Sequence, residues 1–122
     1  MLYFDFMSIE LVFLGTGTSV GVPMIGCNCQ VCSSSDPRNN RRRTSLYVKT
    51  DDAAFLIDTS PDLRQQALDF GIERVDAILF THAHADHVLG LDDIRRFNTI
   101  KGGVIPAYGN PVTLEDVRRV FH

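Results

Sequence analysis

Apolar residues fall into short runs separated by polar turns, and the period of each run predicts its element. Residues 8–14 read as a buried strand running into Gly15-Thr16-Gly17-Thr18-Ser19, a flexible turn. Residues 45–50 and 53–57 are β-rich, and the Asp51-Asp52 pair between them predicts a hairpin with a tight turn. Asp58 ends the second of these strands. Ser60-Pro61 supplies a cap and a first helical position; Leu63, Ala67, Leu68 and Phe70 follow at helical spacing, and Gly71 is a stop. Residues 75–80 predict a strand. Residues 88–100 predict a helix with Leu91, Ile94 and Phe97 on one face, ending before Gly102-Gly103. Residues 104–108 predict a further strand, and Thr113-Leu114-Glu115-Asp116 the start of a last helix continuing through Val117, Val120 and Phe121.

Strands alternating with helices after residue 53 indicate a layered α/β domain. The segment 15–43 does not fit that alternation. It is polar and too long for a simple connection, and loops of that length inside a domain are functional, tied down by a ligand, or disordered. A tie is at hand: the three cysteines of the chain fall within six positions, as Cys27-Asn28-Cys29-Gln30-Val31-Cys32. An odd, clustered set suits a metal better than a disulfide framework, with free reduced thiols as the alternative. Structural zinc takes four ligands, and a fourth is absent locally. Outside residues 81–87 the one histidine is His122, and nothing in the sequence shows that it reaches. Arg41-Arg42-Arg43, with Arg38 nearby, read as a solvated loop face, with a substrate phosphate or RNA as the alternative ligand.

The densest chemistry is Thr81-His82-Ala83-His84-Ala85-Asp86-His87, directly after a predicted strand. Imidazole is the commonest metal ligand. His82 and His84, two apart at the end of an extended segment, can aim their nitrogens to the same side. A loop turning after Ala85 can direct Asp86 and His87 at a second position close to the first. Two divalent ions roughly 3.5–4 Å apart can hold a bridging hydroxide as nucleophile and stabilise charge on a phosphoryl or carbonyl oxygen, so hydrolysis is the expected chemistry.

Composition narrows the setting without choosing the substrate. The 122 residues, 44% hydrophobic with a net charge of −3, have the size and balance of one soluble domain. The acidic balance gives no global basic surface for nucleic acid, so such binding is the less favoured expectation. No apolar run approaches the roughly 20 residues needed to span a bilayer, and the start lacks the features of a signal peptide; a cytoplasmic protein with no membrane partner is expected. Residues 1–7 read as a start-site extension, because Met7 stands immediately before the first strand-like run. A dinucleotide-binding turn is excluded, since Val20 stands where the third glycine belongs.

The segment 81–87 resembles the His-x-His-x-Asp-His signature of the metallo-β-lactamase superfamily, and the order of strands and helices resembles its first half. Gly15-Thr16-Gly17-Thr18-Ser19-Val20-Gly21-Val22-Pro23 followed by the cysteines is similar to the cyclic phosphodiesterase branch that includes the phosphoribosyl cyclic phosphate enzyme. The resemblance implies a four-layer αββα sandwich, of which residues 1–122 form about the first half as a single incomplete domain. It implies that His82 and His84 bind a first metal and Asp86 and His87 a second, with Asp86 also orienting the bridging hydroxide. Asp58 would support the histidine loop by hydrogen bonds. Cys27, Cys29 and Cys32 would hold an additional structural zinc with a histidine from a carboxy-terminal region. Zinc is the expected metal, with manganese also suited to the dimetal site.

The implied activity is hydrolysis of a small cyclic phosphate or nucleotide-like ester. The family's later ligands have no plausible counterpart here: after His87 the chain offers only Asp92, Asp93, Asp116 and His122. A carboxy-terminal half or a second chain is therefore expected to complete the site, and the completed protein is expected to be a homodimer. The isolated chain is expected to be inactive. Two other readings remain: a tRNA 3′-processing endonuclease, which shares the histidine signature, and a non-catalytic zinc-binding module that docks a partner through its exposed sheet.

Overall fold

The computed structural model describes residues 8–122; the expected start-site extension at 1–7 lies outside the described residues. Five strands form one sheet: β1 (Ile9–Gly15), β2 (Ser45–Thr50), β3 (Ala54–Ile57), β4 (Ala77–Leu79) and β5 (Ala107–Tyr108), lying side by side in chain order. The first three are antiparallel, and β3, β4 and β5 are parallel. Parallel neighbours require crossovers. Helix α1 (Leu63–Asp69) lies between β3 and β4, α2 (Ala85–Val88) and α3 (Ile94–Lys101) lie between β4 and β5, and α4 (Pro111–Val120) follows.

Register explains where the core sits. Val12, Tyr47, Leu56 and Ile78 are aligned across β1 to β4, and they pack with Leu63 of α1, Ile94 and Phe97 of α3 and Val117 of α4. The alternate positions form the other face, where Leu11 and Phe13 are 54% and 64% exposed and Leu79 and Tyr108 are also exposed. A sheet with helices on one side and bare apolar side chains on the other is half of a four-layer αββα sandwich, as the resemblance implies.

The Asp51-Asp52 hairpin forms as expected, with Thr50 N donating to Ala53 O at 2.8 Å. Helix boundaries moved where backbone and side-chain hydrogen bonds compete. α1 starts at Leu63 rather than Pro61, because the Ser60 hydroxyl accepts from Asp62 N (3.2 Å) and donates to Gln66 Oε1 (3.0 Å). Its inner face is Leu63 and Gln66, while Leu68 and Phe70, expected on that face, are 60% and 49% exposed. The predicted helix over 88–100 is broken into α2, a 3₁₀ turn at Leu91–Asp93, and α3. The break is at Gly90, where a Cβ would lie 1.9 Å from Ser60 O. The strand expected over 104–108 is only two residues long, because Ile105 turns inward, its N–H donating to Asn98 Oδ1 (2.9 Å). α4 begins at Pro111, and the Asn110 side chain caps it by accepting from Thr113 N (2.9 Å).

The loop 15–43 is ordered by contact with the chain that leaves it. Gly17 N donates to Arg42 O (2.7 Å), and Val22 and Arg41 exchange backbone bonds of 2.9 and 2.7 Å. A Cβ at Gly15 would stand 2.0 Å from Arg43 O, so these glycines permit two backbones to touch rather than cradle a phosphate. Of the arginines expected as a solvated face, Arg38 and Arg41 are exposed, while Arg42 and Arg43 tie the loop to α1: Arg42 pairs with Asp69, and Arg43 reaches Asp62 Oδ1 at 2.8 Å while its N–H donates to Asp62 Oδ2 at 2.9 Å.

Candidate metal centre

The site is built at the ends of β3 and β4, the edge of parallel strands where α/β folds gather ligands. Asp58 follows β3 and takes φ +62°, left-handed backbone that a non-glycine residue adopts at a cost of about 1 kcal/mol or more. It is held there by Asp58 N donating to Leu79 O (2.9 Å) and by the Ser45 hydroxyl donating to Asp58 O (2.9 Å). The turn aims a buried carboxylate at the histidine loop. Oδ1 accepts from Thr81 N (2.8 Å), and Oδ2 accepts from the Thr81 hydroxyl (2.6 Å) and from His87 Nδ1 (2.7 Å). Asp58 is thus both a strand-end turn residue and the anchor of the loop.

The four residues of the histidine signature come together. The His82 ring centroid lies 4.5 Å from that of His84 and 4.0 Å from that of His87, and Asp86 Oδ2 is 3.3 Å from His87 Nε2. A loop was expected to present Asp86 and His87; they stand instead in the single turn of α2, entered at His84 with His87 N donating to His84 O (2.9 Å). Thr59 secures that turn from below, its N–H donating to His87 O (2.8 Å) and its C=O accepting from Gly90 N (3.0 Å).

The donor set fits a cation. With its Nδ1 proton given to Asp58, His87 directs the Nε2 lone pair toward an Asp86 carboxylate oxygen. Two acceptors facing each other at 3.3 Å repel unless positive charge lies between them. A second imidazole proton would satisfy the pair, and a divalent ion would replace that proton.

The cysteines form a second cluster. Among the described residues their three sulfurs are the group of His, Cys, Asp or Glu donors that all lie within 4.8 Å of one another. Met24 N donates to Cys32 Sγ (3.4 Å) and Cys32 N to Cys29 Sγ (3.5 Å). The Cys32 N–H, the Cys27 thiol and the Val31 N–H lower the Cys29 thiol to about 7, toward the thiolate that binds metals. For Cys32 the Met24 N–H acts the same way, but its hydrogen bond with Cys27 and burial outweigh it and raise the thiol. No fourth donor joins this cluster among the described residues.

Sequence reasoning named Asp58 and the four loop residues but missed Thr81, Thr59 and Ser45. Thr81 was legible only as the residue before His82. Thr59 acts through its backbone and Ser45 through a hydroxyl on a backbone carbonyl, and neither leaves a pattern in the sequence.

A family model covering more than half of the chain identifies the family. The model described as "Beta-lactamase superfamily domain" matches residues 54–122. The structure of a diphosphatase from the PhnP family is 52% identical, with a TM-score of 0.89 over 93% of this chain and 46% of that one. Zinc-bound PqqB from Methylobacterium extorquens is 29% identical, with a TM-score of 0.72 over 89% of this chain and 40% of that one. Ribonuclease Z of Bradyrhizobium sp. (strain ORS 278) is 32% identical over 92% of this chain and 33% of its own length. An octanoyltransferase of Porphyromonas gingivalis is 58% identical over 71% of this chain, but the matched part is 18% of that protein. The chain thus spans less than half the length of each of these relatives.

Proposed function

Since the chain belongs to the beta-lactamase superfamily and has the metallo-β-lactamase fold, we propose that it supplies the first half of a metal-dependent phosphodiesterase acting on a small cyclic phosphate or nucleotide-like ester. The observation that carries the reading is the facing pair His87 Nε2 and Asp86 Oδ2, backed by the buried Asp58 carboxylate. His82 and His84 would hold one ion and Asp86 and His87 a second, with zinc preferred for its imidazole ligands and manganese also suited. Such ions supply a lowered water pKa and a Lewis acid at a phosphoryl oxygen. Asp58 holds the His87 ring in place, and the Asp86 carboxylate would accept a hydrogen bond from an attacking water. Cys27, Cys29 and Cys32 would hold a structural zinc, for which the clustered sulfurs and the lowered Cys29 thiol are the support.

Residues 1–122 act in this reading as one incomplete domain. The remaining ligands come from a carboxy-terminal half or a second chain, which also covers Leu11 and Phe13, and the complete protein works as a cytoplasmic homodimer. No helix of the described residues is long and apolar enough to cross a membrane. The identity to a PhnP-family diphosphatase supports chemistry at phosphorus. Similarity to ribonuclease Z over most of the chain favours a second reading, processing of a tRNA 3′ end. The cysteine triplet argues for the small-ester branch.

Assayed with zinc or manganese, the complete polypeptide is expected to hydrolyse a ribose cyclic phosphate and leave precursor tRNA intact. Cleavage of precursor tRNA without hydrolysis of the small ester would reverse the two readings. Stable zinc binding with neither activity, lost on changing Cys29 but not His84, would leave a non-catalytic zinc module.

A further inference from the structure

We infer that Thr81 is a positioning residue whose hydroxyl extends the Asp58 carboxylate to His82, so that one buried carboxylate fixes the tautomer of two imidazoles. The inference rests on the metal-site reading for its purpose, but its geometry stands apart from any ion.

A proton count leads to it. A carboxylate accepts and cannot donate. The Thr81 hydroxyl, 2.6 Å from Asp58 Oδ2, therefore gives its single proton to that oxygen. The same hydroxyl oxygen lies 2.9 Å from His82 Nδ1. With its proton committed, it has only a lone pair to offer, so the proton between them belongs to His82 Nδ1. His82 is thereby held as the Nδ1–H tautomer, with the Nε2 lone pair outward. His87 reaches the same state directly, its Nδ1 2.7 Å from Asp58 Oδ2. The Thr81 N–H, on Oδ1 at 2.8 Å, holds the carboxylate in the orientation that serves both.

Residue type follows from this arrangement. The position needs a hydroxyl, which donates in one direction and accepts from another; valine has the shape and neither function. His84 is the internal control, because no hydrogen bond among the described residues fixes its ring.

The test reads tautomers in the complete polypeptide, stripped of metal and labelled with ¹⁵N-histidine, by imidazole ¹⁵N–¹H correlation spectra at a pH well above the imidazole range. His82 and His87 are expected as Nδ1–H with a pyridine-like Nε2, and His84 as the mixture of free imidazole. Thr81→Val is expected to release His82 to that mixture while leaving His87 unchanged, and Thr81→Ser to preserve both. Zinc competition against a chelator is expected to show a loss of about 10- to 100-fold for Thr81→Val and affinity near the original for Thr81→Ser. An Nε2–H signal at His82 in the unmodified chain overturns the inference, even if Thr81→Val does not fold. So does an unchanged His82 tautomer in Thr81→Val. If the tautomers are as expected but zinc does not bind, the relay stands and the metal reading falls.

Discussion

At the scale of single residues, Asp58 carries more of the site than any ligand does, because it combines a left-handed backbone with three accepted hydrogen bonds. Asparagine tolerates that backbone, so Asp58→Asn isolates the carboxylate's part. Its amide would oppose the donors on Thr81 and His87, and we expect a loss of about 1–3 kcal/mol in urea unfolding. Asp58→Ala is expected to lose more, because backbone strain is then added without compensation. The four proposed ligands were legible in the sequence because they sit within six positions, where spacing alone fixes their neighbourhood. Asp58 lies 29 residues from His87 and could be named only through the family resemblance. What no pattern gave was the left-handed backbone of its strand-end turn, which Ser45 and Leu79 secure from other strands.

Elements are where expectation and structure part most often, and each difference traces to one competing contact. Periodicity placed Leu68 and Phe70 inside and took no account of Gln66, yet Gln66 is fully buried. Its amide donates to Arg43 O (2.9 Å) and its carbonyl accepts from Ser60 (3.0 Å), joining the end of the long loop to α1. Gln66→Leu keeps the volume but strands both partners; a lowered midpoint, equivalent to about 1–3 kcal/mol, should appear in denaturant titration. Gly90 is the second such point, since helical spacing continues through it while Ser60 O leaves it no room. Gly90→Ala is expected to cost about 1–3 kcal/mol through overpacking. It should also weaken metal binding measurably, because α2 carries Asp86 and His87. Unchanged zinc affinity in a folded Gly90→Ala chain would show that α2 is positioned by other contacts.

For the whole molecule, the layered α/β class was readable from the alternation of strands and helices after residue 53, and the half-sandwich character only through the family resemblance. The sequence did not reveal how the loop 15–43 is ordered, since that depends on backbone pairing between Gly17, Val22 and residues 41–42. The bare sheet face has a measurable consequence. Exposed apolar patches promote association, so the isolated chain is expected to self-associate in sedimentation velocity. Phe13→Lys should shift it toward monomer and also impair assembly with whatever covers the sheet. The strand order has a separate consequence for biosynthesis. Because every strand pairs with its predecessor in the chain, each one leaving the ribosome meets a neighbour already made. Of these pairings only the β2–β3 hairpin is local and quick to form; β1 meets β2 across the long loop, and β3, β4 and β5 pair in parallel, which is slower. Pulsed hydrogen exchange during refolding is therefore expected to protect the β2–β3 hairpin before the parallel pairs of β3, β4 and β5.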